Sequence, residues 1–245
     1  QLARSIASAS QPLTARVYAN RVWQHLFGRG IVPTVDDFGA SGEEPTHSEL
    51  LDHLATRLID AGWSTKKLIR AVVLSRTYRQ SSSHHVANDR IDPSNQHYWR
   101  SDLRRLELEP LRDGMLKISG RLTDERPEGV QVAGTGGKGR NGTVRGLLSV
   151  ESPYRTVYLP VLRSVLPEMY TTFDFPNPTQ IEGKRHVTTV ATQALFLLNS
   201  GFAVDCADDT ADRLLSLKSA SDAERVRRAY LWLLSRSPNA SEERD

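Results

Sequence analysis

Apolar side chains recur every three or four positions between Pro12 and Phe27, and this spacing limits the possible folds more than any other feature of the chain. Residues spaced in this way share one face of an α-helix. Pro12 suits the first turn of a helix, and Gly28 follows the last apolar residue, where a C-cap is expected. The segment therefore predicts an amphipathic helix whose apolar face must be buried against other elements.

The same helical spacing returns along most of the chain. It predicts further helices near residues 46–62, 64–73, 108–122, 188–199, 202–217 and 222–234. In the last three of these helices the predicted core residues are Leu195, Leu198, Phe202, Ala203, Leu214, Leu215, Val226, Tyr230 and Leu233. The only cysteine, Cys206, has the apolar neighbours of a buried core residue.

One short segment favours a strand instead of a helix. Thr156, Val157 and Tyr158 are β-branched or aromatic and stand shortly before Pro160, and residues 144–150 could pair with them. The expected fold class is therefore mainly α, a helical domain with a small β-hairpin or strand pair inserted around residues 144–159.

We expect residues 1–245 to form a single mainly helical domain that is a fragment of a larger protein. The sequence begins at Gln1 without a methionine, and it stops shortly after Ser237 and Pro238, which look like the start of another helix. Seven glycines fall within residues 129–146, and this density predicts a Gly-rich insertion there.

Composition and charge argue against several classes of protein. The formal net charge is only +3, and 26 of the 32 basic residues are arginines dispersed along the chain, so we do not expect nucleic-acid binding. No apolar run is long enough for a membrane span. A single cysteine provides neither a haem-attachment pair nor a zinc knuckle, so we expect no cofactor in this chain and assign no metal ligands.

The segment 36–44 is an acidic loop that leaves two interpretations open. Its carboxylates could hold a hard cation such as calcium, because such cations prefer oxygen ligands. Their spacing does not match the EF-hand pattern, and a plain acidic loop is the alternative. The carboxylates concerned are Asp36, Asp37, Glu43 and Glu44.

The densest charge cluster contains the candidate catalytic residues. Glu109 and Asp113 are four positions apart on a predicted helix, so both carboxylates face the same way and could act as general acid and base, with Glu107 beside them. The neighbouring arginines could hold an anionic substrate, or they could neutralise the carboxylates in a structural ion-pair network. These candidate ligand-binding residues are Arg104, Arg105 and Arg112.

A second candidate binding surface lies on the polar face of the first predicted helix. Arg16 and Asn20 are four positions apart and therefore lie on the same side of that helix. Such a stripe can bind a ligand, or it can be an ordinary solvated or hydrogen-bonded face.

Several motifs, taken in order, cover nearly the whole chain. They are the run from Pro12 to Gly30 and the segments 36–39, 62–64, 77–82, 104–107, 155–158, 173–174 and 193–199. Together they resemble a planctomycete-type domain of unknown function. The resemblance implies a C-terminal module of large exported proteins that often also carry a planctomycete cytochrome c domain, and hence a periplasmic or extracellular location.

The resemblance also implies partners, but it supplies no activity and no catalytic residue. The expected partners are other domains of the same polypeptide, a cytochrome c module among them, with polysaccharide as a further possibility. The haem of those relatives is not expected here, because this chain has no cysteine pair to bind it.

Two classes of function remain open from the sequence. The first is a structural or interaction module, favoured because most motifs are helix caps, core stripes and arginine pairs. The second is a hydrolase or lyase that acts on an extracellular polysaccharide through its Glu/Asp pair.

Overall fold

The computed structural model describes residues 1–6, 8, 11–127, 150–163, 166–218 and 220–243. The chain divides into two compact units, Gln1–Arg105 and Leu106–Asp245. The predicted Gly-rich insertion at 129–146 lies outside the described residues, and the expectation of one domain over 1–245 stays a prediction.

Unit 1 is built from helices. They are α1 (Leu2–Ile6), α2 (Pro12–Phe27), α3 (Ser48–Asp60), α4 (Thr65–Val73) and α5 (Val86–Ile91). Helix α2 begins at Pro12 and ends at Phe27, and Gly28 follows as its C-cap with a φ of 81°, a left-handed conformation that glycine allows. Helices α2 and α4 both pack on α3, and their buried apolar residues form one core with the loop after α2. That core comprises Ala19, Trp23, Ile31, Val32, Leu51, Leu54, Leu58, Leu68 and Val72.

Unit 2 is also built from helices. They are α6 (Leu108–Ser119), α7 (Glu168–Thr172), α8 (Ala191–Asn199), α9 (Gly201–Leu215) and α10 (Asp222–Leu234). Helix α9 packs against α6, α8 and α10, and Ser200 and Ser221 cap the N-termini of α9 and α10. Cys206 is buried, as predicted. The core comprises Leu108, Leu116, Met169, Tyr170, Phe173, Phe202 and Cys206.

The mainly α class is confirmed, but the predicted β-hairpin or strand pair around residues 144–159 is wrong. The described residues contain helices and no β-strand, and Thr156–Tyr158 forms one 3₁₀ turn. The backbone groups of a strand need hydrogen bonds from a partner strand, whereas here side chains of α6 make the hydrogen bonds to the backbone of this segment. Arg112 donates to the carbonyls of Val150 and Tyr154, and Asp113 accepts the Thr156 N–H. Residues 144–149 lie outside the described residues.

Several leucines predicted for the core lie at the surface instead. Leu195 and Leu198 in α8 are 55% and 73% exposed, and Leu215 and Leu233 are exposed as well. In α8 the polar Gln193 is buried, because its hydrogen bonds orient the helix with that side inward. By contrast, Phe202 and Ala203 in α9 are buried, as predicted.

No helix among the described residues is both long and apolar enough to cross a membrane.

Candidate functional site

The carboxylates predicted for catalysis are bound by an arginine from a distant loop. Glu109, in the first turn of α6, accepts two hydrogen bonds from Arg185, at 2.6 Å from Nη1 and 2.7 Å from Nη2. Glu107 Oε2 lies 3.0 Å from the same Nη1. The Arg185 guanidinium also lies over the Phe175 ring, 5.5 Å from its centroid. Arg185 therefore joins Glu107 and Glu109 into one ion-pair cluster.

This pairing determines the protonation state of Glu109. Burial by itself would raise its pKa, but the hydrogen bonds and the charge of Arg185 outweigh burial and hold the pKa of Glu109 below its ordinary value of 4.5. The same hydrogen bond raises the pKa of Arg185. A general acid needs a carboxyl group that stays protonated near neutral pH, and Glu109 has the opposite property.

Asp113 lies one turn further along α6 and has different partners. Its Oδ1 accepts hydrogen bonds from Thr156 N at 2.8 Å and from Thr156 Oγ1 at 2.6 Å. Its Oδ2 lies 3.5 Å from Nε of the exposed Arg155. Asp113 therefore anchors the 3₁₀ turn. Its hydrogen bonds share no residue with those of Glu109, but its charge acts on Glu109 in the direction that raises the pKa.

Arg112 is buried completely and holds the same segment. Its guanidinium donates to Val150 O at 2.9 Å, to Tyr154 O at 3.0 Å and to Ser152 O. Nη1 also donates to Thr156 Oγ1, which in turn donates to Asp113. Burial lowers the pKa of Arg112, but the hydrogen bonds to these acceptors stabilise its charged form. Arg112 occupies a structural position, with its donors used inside the protein.

A third polar cluster joins α7, α8 and the loop between them. Asp174 has a φ of 56°, and its carboxylate accepts hydrogen bonds from Thr188 N at 2.8 Å and from Thr188 Oγ1. The buried Gln193 donates to Thr172 O at 2.9 Å. This cluster fixes how α8 lies on unit 2, with Gln193 inward and with Leu195 and Leu198 outward.

Unit 1 contains the predicted binding residues Arg16 and Asn20. Asn20 is fully buried, its Nδ2 donates to Val32 O, and its Oδ1 accepts from Val32 N, both at 2.9 Å. Gly30 passes so close that an added Cβ would lie 2.8 Å from Asn20 Nδ2. Arg16 Nε lies 2.9 Å from Asp52 Oδ1 on α3. Asn20 thus pins the loop after α2, and Arg16 joins α2 to α3.

Arg104 and Arg105 also belong to unit 1. Arg104 Nη1 donates to His25 O at 2.9 Å, close to the C-terminus of α2, and its Cδ covers Gly28. A basic side chain at this place complements the negative end of the helix dipole. Arg105 is exposed.

Unit 1 also has a pocket of about 280 Å³. Phe27, Tyr78 and Tyr98 provide aromatic walls, and the polar lining includes Arg100 and Asp102. The rings hold each other, since Phe27 meets Tyr78 at 5.5 Å and Tyr98 at 5.2 Å between centroids. Tyr98 is fixed further by Trp23, whose Nε1 donates to the Tyr98 hydroxyl at 2.8 Å.

The turn before this pocket has an unusual backbone. Asn95 and Tyr98 have φ values of 53° and 52°, although neither is glycine. The buried Asp92 holds the turn by accepting from Gln96 N at 2.9 Å and from His97 N at 2.8 Å. These hydrogen bonds offset the cost of the left-handed residues. Desolvation by burial acts to raise the pKa of Asp92, but the hydrogen bonds outweigh it and lower the pKa.

The acidic loop 36–44 uses its central carboxylate internally. Asp37 Oδ1 accepts from Gly39 N and Oδ2 accepts from Ser41 Oγ, both at 2.8 Å. The backbone hydrogen bond from Gly39 is the main cause that lowers the pKa of Asp37. Asp36 lies 3.4 Å from Arg21. No group of three His, Cys, Asp or Glu side chains suited to a metal ion occurs among the described residues.

The sequence analysis did not predict Arg185, the partner of Glu109, or some of the residues that line the pocket of unit 1. Arg185 lies 76 positions from Glu109, in a segment with no periodic pattern, so no local signal connects the two residues. Asn95 and Asp102 line the pocket but were not singled out. The turn formers around Asp92 were the available signal, because Asp and Asn stabilise compact turns and tolerate positive φ.

A known protein family matches the whole chain. Residues 1–245 match the family described as PSD1, protein of unknown function (DUF1553). No curated protein matches the chain. No solved structure matches it either.

Proposed function

Because this chain belongs to the PSD1 family of proteins of unknown function, we propose that it is a non-catalytic interaction module of a larger exported bacterial protein. In this proposal it works in the periplasm or outside the cell, where it binds other domains of its own polypeptide, a cytochrome c module among them. The expected location and partners rest on the family resemblance of the sequence motifs.

The exposed apolar face of α8 carries the proposal. Leu195 and Leu198, three positions apart and therefore on one side of α8, are 55% and 73% exposed. Contiguous exposed apolar patches commonly mark interaction surfaces. The hydrogen bonds of Gln193 hold this face outward. The fold therefore keeps this apolar face of α8 at the surface, where a partner can contact it.

The carboxylate contacts favour this proposal over the polysaccharide hydrolase or lyase. An acid and base pair needs two carboxyl groups with separated pKa values around one substrate site. Glu109 instead makes a bidentate pair with Arg185, and Asp113 holds Thr156. Neither carboxylate is directed to a substrate by these contacts.

The test measures binding between this chain and the other modules of its parent protein by isothermal titration calorimetry. The variant replaces Leu195 and Leu198 with glutamine. We expect a loss of affinity of about tenfold or more, because each buried leucine contributes roughly 1.5–3 kcal/mol to an interface. The melting temperature should not fall, because both leucines are exposed in the free chain.

Ile91→Gln is the control, because Ile91 is an exposed apolar residue on α5 of unit 1. Unchanged binding by the double leucine variant would count against the proposal. The enzyme alternative is tested in parallel by incubating the chain with polysaccharides and measuring new reducing ends and unsaturated products. If the wild-type chain forms such products and the Glu109→Gln and Asp113→Asn variants do not, the chain is an enzyme and the interaction-module proposal is wrong.

A further inference from the structure

The pocket of unit 1 has aromatic walls that neighbouring contacts hold in place. Its volume of about 280 Å³ suits a small ligand. Trp23 stacks on Phe27 at 4.1 Å between ring centroids and donates a hydrogen bond to the Tyr98 hydroxyl. Phe27 in turn meets Tyr78 edge to face, at an interplanar angle of 87°. Walls that are fixed in this way lose little side-chain entropy when a ligand binds.

The charged side chains around the pocket are mostly basic. Arg100 and Arg104 line it, with Asp102 as the acidic residue of the lining. Burial raises the pKa of the Tyr98 hydroxyl, while the charge of Arg29 acts to lower it and the charge of Asp102 acts to raise it. Arg29 therefore lies close enough to add to the positive charge around this wall. The sum of these charges attracts an anion.

In the part of the chain that the structure describes, no carboxylate neutralises the two arginines of the lining. Arg16 of the same unit pairs with a carboxylate of α3 at 2.9 Å, whereas neither Arg100 nor Arg104 makes such an ion pair with a described residue. The Arg100 guanidinium lies 5.0 Å from the centroid of the Trp99 ring. Arg104 Nη1 donates to His25 O at 2.9 Å. These contacts hold the two side chains in place, but they do not cancel the positive charges.

The surroundings of the arginines limit the charge and shape of a bound anion. Electrostatic attraction grows in proportion to the charge of an anion, whereas the cost of removing the anion from water grows with the square of that charge. The exposed Asp102 reduces the attraction further, and its Oδ1 accepts a hydrogen bond from Asn95 Nδ2 at 3.0 Å. An anion with a single charge therefore suits this lining better than a dianion. A guanidinium also matches the planar geometry of a carboxylate.

We infer that this pocket binds a small organic acid, a monocarboxylate with an apolar body. The side chains of Phe27, Tyr78 and Tyr98 provide an apolar surface for the body. The carboxylate pairs with Arg104, whose Nη2 has no acceptor among the described residues, and is attracted by the charge of Arg100. This site goes beyond the proposed function, because it gives unit 1 a small-molecule ligand that is independent of the exposed apolar face of α8.

The experiment titrates the whole chain with benzoate, phenylacetate and hexanoate, and it follows binding by calorimetry and thermal shift. The corresponding amides are the matched neutral probes, because they keep the apolar body and lack the charge. Acetate keeps the carboxylate and lacks the body, and phenyl phosphate at about pH 8 supplies a dianion. We expect at least one of the three acids to bind and to raise the melting temperature. Its amide and acetate should each bind about tenfold more weakly or less, because the ion pair or the apolar contact is lost.

Two substitutions in the lining should change the affinity in opposite directions. Arg100→Met removes a positive charge and should weaken binding of the acid about tenfold. Asp102→Asn removes a carboxylate that repels the anion, and it should strengthen binding about two- to fivefold, while its amide oxygen still accepts from Asn95. Loss of structure would weaken binding in both variants, so opposite signs separate the electrostatic effect from misfolding. Melting temperatures are measured beside the affinities.

Arg57→Met and Asp60→Asn are the matched controls, because each removes an exposed charge of unit 1 that does not line the pocket. Both should leave the affinity unchanged at physiological salt, which screens distant charges. No binding by any of the three acids, equal binding by an acid and its amide, tighter binding by phenyl phosphate, or weaker binding by Asp102→Asn would each overturn the inference.

The pocket and the apolar face of α8 are tested separately. The double leucine variant should bind the acid as the wild type does, and Asp102→Asn should bind the other modules as the wild type does. Acid binding without a leucine effect on module binding would overturn the proposed function alone. A leucine effect without acid binding in any protein would overturn the pocket alone.

Discussion

Glu109 illustrates how one contact changes the role that is inferred for a residue. Its sequence position beside Asp113 suggested acid and base chemistry, but Arg185 binds both of its carboxylate oxygens. The arginine fork matches the carboxylate geometry, and such charge-assisted pairs are stronger than neutral hydrogen bonds. The lowered pKa of Glu109 therefore reflects a structural ion pair, and it makes the stability of unit 2 depend on pH.

The sign of this pH dependence follows from the direction of the shift. The pKa of Glu109 is lower in the folded state than its ordinary 4.5, so its stabilisation is complete above pH 4.5 and is lost as pH falls through the folded pKa. We expect Glu109→Gln to reduce the free energy of unfolding by about 1–2 kcal/mol near pH 7. The difference from wild type should shrink as pH falls below 4.5.

Urea unfolding from pH 7 to acid pH measures this difference. Glu44→Gln provides the control for removing one exposed carboxylate. A difference between wild type and Glu109→Gln that stays constant or grows towards acid pH would show that Arg185 does not stabilise the ionised carboxylate.

Helix α6 has a role beyond its own core packing. Its Arg112 and Asp113 bind the backbone of residues 150–156, which therefore needs no strand partner. An isolated polar side chain in a core is costly, but Arg112 distributes several donors over backbone carbonyls that would otherwise lack partners. The 3₁₀ turn Thr156–Tyr158 thus depends on α6 for its conformation.

Replacement of Arg112 tests this dependence. We expect Arg112→Met to lower the free energy of unfolding by roughly 3–5 kcal/mol, because several carbonyls and the Asp113 carboxylate lose a buried partner. Arg155→Met is the control, since Arg155 also contacts Asp113 but is 56% exposed, and it should cost less than about 1 kcal/mol. Chemical denaturation measures both values, and similar losses in the two variants would be the contrary result.

At the scale of the molecule, each compact unit has its own apolar core. Leu58 is fully buried in the core of unit 1, and Leu116 is fully buried in the core of unit 2. Among the residues that the structure describes, no residue belongs to both cores. Because hydrophobic burial is the main favourable term in folding, each unit has its own source of stability.

Hydrogen–deuterium exchange can measure this arrangement. Leu58→Ala and Leu116→Ala each remove buried methyl groups and should cost about 2–5 kcal/mol. We expect Leu58→Ala to accelerate exchange in the helices of Gln1–Arg105, and Leu116→Ala to accelerate it in the helices of Leu106–Asp245. Equal acceleration in both units by either variant would indicate a single cooperative core.

The amino-acid sequence by itself determined the helical class and the positions of most helices. Local periodicity and end residues specify these features, as Pro12 and Gly28 do for α2. Only the tertiary structure decided which side of α8 is buried, where residues 155–159 find hydrogen bonds, and that Arg185 pairs with Glu109. Each of these features depends on contacts between residues far apart in the chain. A polar group can be buried where its hydrogen bonds are satisfied, and a local sequence pattern does not show where that is.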